Sequence, residues 1–230
     1  MRIFDVTGCR ARIVRPGTTL TAWAAANKPF ALCNASLYTA ALRPIGTVIE
    51  NGKMVHDDGN GYGFGVIDGK PGFGRPWDAP WDDYLTGYNS PVQCGVYVAP
   101  AFRDDYVFGC RLARIGLGRR GTQTLIVTDD GVTLREFAEH AIAAGLDTLV
   151  NLDGGGSRHL LHGGVPVYQS PRVPYNAIAF YREDEGEDPS TPARGASAQD
   201  DKAGAGAARG DKAGAPCEYC TEDGRCLKWK

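Results

Sequence analysis

The stretch TLREFAEHAIAAGLDTLVNLDGGGSRH, residues 133–159, decides the fold class. Thr133 and Glu136 make a T-x-x-E capping box, which satisfies backbone donors at a helix start. Leu134, Phe137, Ala138, Ala141 and Ile142 then fall at i, i+3, i+4, i+7 and i+8. That is the apolar stripe of a helix packed on a sheet, and Gly145 stands at its exit. Thr148–Leu152 follows as a short, almost wholly apolar run, the pattern of a central strand. The strand ends on a carboxylate, Asp153, and three glycines. A charged group is therefore expected at a sheet edge beside exposed backbone N–H groups, an arrangement that holds phosphate or another oxyanion. Tight turns use glycine too, and the run fits neither the P-loop pattern nor the nucleophile elbow.

Working outward, the chain reads as strands and turns. A short helix is expected from Thr18 to Ala26 with Asn27 as its stop, then a buried strand Phe30–Cys33 ending at Asn34. Ile45–Ile49 and Lys53–Val55 flank Glu50-Asn51-Gly52, a hairpin signal because Asn-Gly tolerates positive φ. Further strands are expected at Gly63–Ile67, Val92–Val98 and Val107–Cys110. Ala113–Leu117 and Gln123–Thr128 should form a hairpin around Gly-Arg-Arg-Gly, and Val165–Tyr168 and Ala177–Phe180 should close the domain. Phe73–Tyr88, rich in Trp, Pro and Asp, reads as a long loop, with Trp77 and Trp81 either sugar platforms or core cover. The expected class is α/β (α+β): a mixed sheet with few helices.

Composition sets the outer bounds. The 230 residues carry 25 basic and 27 acidic side chains, a net charge of -2, which argues against electrostatic nucleic-acid binding. No apolar run approaches the roughly 20 residues of a membrane span. Met1–Thr7 shows no apolar signal region, so cytoplasmic synthesis is expected, with a phage particle or cell surface as alternative destinations. After Arg182 the sequence turns acidic and then into Ala, Gly, Ser and Asp, with DKAGA occurring twice. The reading is a domain over 1–182, a disordered linker over 183–216 and a tail over 217–230. The tail, Cys217-x-x-Cys220-x5-Cys226, offers three thiolates where a closed zinc site needs four ligands. It is expected to be a reduced, mobile tail or an attachment to another protein. No motif demands a metal or cofactor.

Several segments together resemble one family, the phosphodiester glycosidases: NASLY at 34–38, PIGTVIENGKMV at 44–55, RLARIG at 111–116, Asp129–Gly131, NLDGGGS at 151–157 and VPYNAIAFY at 173–181. The resemblance covers about residues 5–181 in the family's order. It implies a hydrolase that cleaves a sugar such as N-acetylglucosamine from phosphate, so a glycan-phosphate substrate. By resemblance, Asp153 and Asp129 are the carboxylate candidates. Arg111 offers a fork to phosphate oxygens, with Arg114 the alternative and spacing favouring Arg111. Gly154, Gly155, Gly156 and Ser157 add donors, and Asn34 and Asn176 line the sugar. His159 is a proton-shuttle candidate. The pattern departs from the family at Ser36, where glycine is usual, at Leu37, which replaces an aromatic residue, and at Arg158 and His159, which replace small hydroxyl residues. The alternative is a glycan-binding or structural module that keeps the fold without turnover.

Overall fold

The structure, a computed structural model, describes residues 1–39, 41–57, 61–87, 89–99 and 109–183. From 184 onwards, the linker and the Cys tail lie outside the described residues, as do Val107 and Phe108 of one expected strand.

Three sheets and two helices make up the described part. The first sheet has the order β1 (Arg2–Asp5), β12 (Gln123–Val132), β11 (Leu112–Arg120), β13 (Thr148–Asn151), β9 (Asn89–Gln93) and β10 (Val96–Tyr97). The second runs β15 (Val165–Tyr168), β14 (Leu160–His162), β3 (Ala31–Asn34), β16 (Ala177–Tyr181) and β2 (Arg10–Val14). The third runs β5 (Lys53–His56), β4 (Val48–Glu50), β8 (Asp83–Thr86), β6 (Gly63–Ile67) and β7 (Lys70–Gly74). The strand-rich α+β class with few helices is the one the sequence predicts. Its ladders differ from the expected mixture of directions: every pairing among the described strands is antiparallel.

The helix of the opening stretch forms as α2 (Leu134–Ala143), with both arms of the Thr133–Glu136 capping box in place. Its buried face, Leu134, Phe137, Ala138 and Ala141, packs on Val92, Leu125, Val127 and Leu149 of the first sheet. The sheet's other face carries Ile115, Leu117, Ile126, Val150 and Leu152. These meet Ala31, Cys33, Leu160, Ile178 and Phe180 of the second sheet and Phe64, Val66 and Leu85 of the third. Each large side chain buried there stabilises the fold by about 1.5–3 kcal/mol. The second helix, α1 (Leu20–Asn27), covers the outer face of the second sheet through Leu20 and Ala24. Its left-handed cap falls on Lys28, one residue past the expected stop, while the Asn27 amide bonds back to the Trp23 carbonyl at 2.8 Å.

Three local expectations shift. The stretch expected as a loop contains β8, whose Tyr84 and Leu85 are fully buried in the middle of the third sheet. The strand expected over Val92–Val98 splits into β9 and β10, because Cys94 (φ 52) and Gly95 (φ 74) form a two-residue turn. In the 113–128 hairpin the strands extend to Arg120 and Gln123, leaving Gly121-Thr122 as the turn. Gly118 belongs to β11, where a Cβ would come within 2.3 Å of the Leu146 side chain.

Candidate active site

The ends of β3 and β13 and the start of β16 converge, and their backbones are stitched across the two sheets. The Asp153 N–H donates to the Ala35 carbonyl at 2.9 Å, and the Ala35 N–H donates to the Asn176 carbonyl at 3.3 Å. Side-chain amides complete the join. Asn34 is 1% exposed; its Nδ2 donates to the Asp153 carbonyl at 2.6 Å, and its Oδ1 accepts from the His159 N–H at 2.8 Å. Asn176 is fully buried and its Oδ1 accepts from the Ser36 N–H at 2.9 Å. Asn34 thus holds the loop on which Asp153 and Ser157 stand, and Asn176 holds the Ala35–Ser36 segment beside it.

Between Asp153 and His159 the chain makes one 3-10 turn, Gly155–Ser157. Gly154 lies flat on β11: a Cβ there would come within 2.4 Å of the Ala113 carbonyl oxygen. Gly155 has φ +56, a left-handed conformation that side chains resist. The glycine run is therefore required by close packing and by the turn. It presents Asp153 and Ser157 on one side of a tight loop. Asp153 is half-buried. Burial pushes its carboxyl above the usual carboxylate range, against the opposing pull of a Ser157 hydrogen bond and the charge of Arg172.

Arg172 is a site residue that the sequence patterns do not single out. It is exposed, its Nη1 donates to Ser157 Oγ at 2.9 Å, and a Cβ on Gly156 would lie 3.1 Å from its Nη2. Ser170 holds this loop in place: its Oγ donates to the Gly156 carbonyl at 2.8 Å and accepts from the Arg172 N–H at 3.2 Å. The one signal for it in the sequence is the run Ser170-Pro171-Arg172 shortly before the VPYNA segment, a basic residue in a Pro-flanked loop.

The other expected site residues sit as follows. Arg111 pairs with Glu136 at the start of α2, and its Nη1 donates to the Gly131 carbonyl at 2.8 Å. Arg114 is 2% exposed and donates to the carbonyls of Val132 (3.2 Å) and Cys110 (2.9 Å). Asp129 pairs through Oδ2 with His140 Nδ1 at 2.7 Å, and its Oδ1 accepts from the Asp130 N–H at 3.0 Å and lies 3.1 Å from the Met1 amine. Burial raises the Asp129 pKa, but these partners together hold it below the usual value. A strut links Asp129 to the glycine loop: Arg158 donates to the Asp129 carbonyl, pairs with Asp130 at 2.6 Å and stacks 3.6 Å over the Tyr168 ring. His159 is 2% exposed, and burial lowers its pKa. Its Nδ1 accepts from the Ser170 N–H at 3.3 Å, so the neutral ring carries its proton on Nε2. Trp81 is core cover, 7% exposed, whereas Trp77 is 58% exposed beside Arg75. Two concavities of about 380 Å³ lie elsewhere, around Phe30 and Arg182, and neither is lined by a residue of the Asp153–Arg172 group.

Against known proteins, the sequence matches the phosphodiester glycosidase family over residues 26–181, more than half of the chain. The chain belongs to that family. Its fold is similar to the catalytic domain of zebrafish N-acetylglucosamine-1-phosphodiester alpha-N-acetylglucosaminidase, a structure auto-inhibited by its pro-peptide. The TM-score is 0.61 at 17% identity, over 75% of this chain and 73% of that one. A hypothetical protein from Synechocystis is similar with a TM-score of 0.63 at 14% identity, over 76% of this chain and 57% of that one. No curated protein matches.

Proposed function

We propose that the protein is a hydrolase that breaks the anomeric C–O bond of a sugar joined through phosphate. One observation carries this reading: the glycine turn sets the half-buried Asp153 carboxyl next to Ser157, whose hydroxyl accepts from the exposed Arg172 guanidinium at 2.9 Å. Arg172 and the Ser157 hydroxyl take the phosphate oxygens, where a planar fork suits two of them at once. Phosphate leaves readily and needs little protonation, so the demanding step is delivery of water. Asp153 takes a proton from that water as its oxygen bonds to C1. The C1–O bond breaks, and its electron pair stays on the phosphate beside Arg172. A carboxylate held above its usual pKa is a better base near neutral pH than an ordinary one. Asn34, His159 and Ser170 position this pair without touching the reacting atoms.

The test is release of free sugar from a sugar-1-phosphodiester by the native chain, by Asp153→Asn and by Arg172→Ala. Turnover lost in Asp153→Asn with the fold intact by circular dichroism supports the reading. Binding of sugar phosphate without turnover in the native chain overturns it and leaves a glycan-phosphate binding module.

A further inference from the structure

Arg172 stands in the loop 169–176 between β15 and β16, and that loop is fastened on both sides of it. Upstream, Ser170 bonds to the Gly156 carbonyl and to the Arg172 N–H. Downstream, the fastening comes from two other strands. Arg15 Nη2 donates to the Tyr175 hydroxyl, and the Arg15 guanidinium lies 4.5 Å over the Tyr175 ring. Arg15 Nε donates to Glu50 Oε1 at 2.6 Å. One guanidinium thus bridges two partners through separate donors while stacking on a ring, which the ammonium of a lysine does not reproduce.

The backbone of Arg15 and its carboxylate partner are themselves fixed. β2 pairs with β16 as far as Val14 opposite Ala177, so Arg15 leaves the sheet alongside the end of the loop. Glu50 closes β4 at a turn tied to the third sheet: the Asn51 N–H donates to Asp83 Oδ1 at 3.1 Å, and the Gly52 N–H to the Asp82 carbonyl at 2.7 Å. Between Arg172 and Tyr175 stand Val173 and the buried Pro174, whose ring restricts φ and leaves the segment little slack.

We infer that Glu50, Arg15 and Tyr175 are positioning residues for Arg172. They hold the downstream end of its loop so that the guanidinium stands at Ser157 before a substrate arrives. That lowers the ordering cost of binding the charged half of the substrate. The three act through Arg172 and not on the reacting atoms, and the inference rests on the proposed function for the role of Arg172.

The test is a double-mutant cycle on KM for a sugar-1-phosphodiester. Arg15→Ala is expected to raise KM by about 3- to 10-fold with kcat within about twofold, because binding loses its alignment and the chemical step does not. In the Arg172→Ala background the same change is expected to have no effect, since nothing is left to position. Glu50→Ala separates positioning from the local field. Removing a negative charge draws in an anionic substrate by field alone and lowers KM, whereas releasing Arg15 raises it. Tyr175→Phe keeps the ring and its packing, so it carries the same test if Arg15→Ala does not fold. Arg135→Ala is the matched control: Arg135 also pairs with a glutamate, Glu139 at 2.8 Å, and lies 5.6 Å over a tyrosine ring, Tyr97, but it stands on α2. Its KM is expected to stay native. An unchanged KM in Arg15→Ala and Tyr175→Phe overturns the inference. So does a lower KM in Glu50→Ala, a rise that persists without Arg172, or an equal rise in Arg135→Ala. A native chain that binds sugar 1-phosphate without hydrolysing it overturns the hydrolase reading only, and the cycle is then read in Kd. A native chain that binds none overturns both.

Discussion

The strands β3, β14 and β16 lie side by side, and their two ends are built differently. At one end Phe30, His162 and Arg182 stack: the Phe30 and His162 rings are 5.0 Å apart, and the Arg182 guanidinium lies 4.0 Å over Phe30. Phe4 adds a further ring 5.4 Å from His162. At the other end Asn34, His159 and Asn176 are buried, and both amide atoms of Asn34, the Nδ1 of His159 and the Oδ1 of Asn176 bond to backbone groups of three loops. Stacking of rings and guanidinium closes a sheet end without burying an amide, so the fold has a simpler solution and uses it where nothing else is asked. The polar end fixes loop backbones to within hydrogen-bond tolerance, which a site for chemistry needs and a stable edge does not.

That contrast breaks most visibly in activity. Asp153→Asn is expected to lower kcat by about 10²–10⁴-fold, the range of a general base, while His162→Leu at the stacked end leaves kcat within about twofold, the scatter of a surface change. Steady-state hydrolysis of one sugar-1-phosphodiester by both variants checks this; equal losses would remove the distinction between the ends.

Next in size is stability. Asn34→Ala deletes two hydrogen bonds and strands the Asp153 carbonyl and the His159 N–H. The expected loss is about 2–4 kcal/mol in urea unfolding, against less than about 1 kcal/mol for His162→Leu, whose ring nitrogen meets the Asp5 carbonyl at 3.1 Å. A loss at Asn34 no greater than at His162 would mean that the amide clamp is ornamental.

The arginines sharpen the picture further. Arg172→Ala is expected to raise KM by about 10-fold or more, the worth of a charge-assisted hydrogen bond, whereas Arg111→Ala, removing a partner of Glu136, changes KM by less than about twofold. If Arg111→Ala instead produces the large KM effect, the phosphate lies toward α2 and not over the glycine turn.

These arginines also mark the limit of what the amino-acid sequence makes legible. The capping box, the apolar stripe and the strand running into Asp153 are local patterns, and local patterns survive folding; α2 and β13 appear where the sequence places them. The motif NLDGGGS announces its turn because only glycine fits under the Ala113 carbonyl at position 154. What stays hidden depends on partners remote in sequence. Arg172 meets Ser157 across 15 residues and Asn34 meets Asp153 across 119, and no spacing rule within a segment encodes either contact. β8 is illegible for the same reason: Tyr84 and Leu85 are strand residues because β4 and β6 flank them, while their neighbours in sequence spell a loop.

The smallest expected effect is a slope. His159 is enclosed, and burial lowers its pKa below the ordinary 6.5. As pH falls through about 6.5 the unfolded chain takes a proton on this ring while the folded chain does not, so the unfolded state binds more protons and stability falls. The loss grows down to the folded pKa, at up to about 1.4 kcal/mol per pH unit. Asp153 acts in the opposite sense, because a raised folded pKa means that acid relieves its burial, and that window lies between its folded value and the ordinary 3.8. His159→Gln keeps an acceptor for the Ser170 N–H and removes the titration. Its melting temperature is therefore expected to track the native one above pH 7 and to fall less steeply between pH 6.5 and 5. Identical slopes for the two proteins would show that the ring is solvated when folded, and the polar end of the sheet would then be looser than its hydrogen bonds imply.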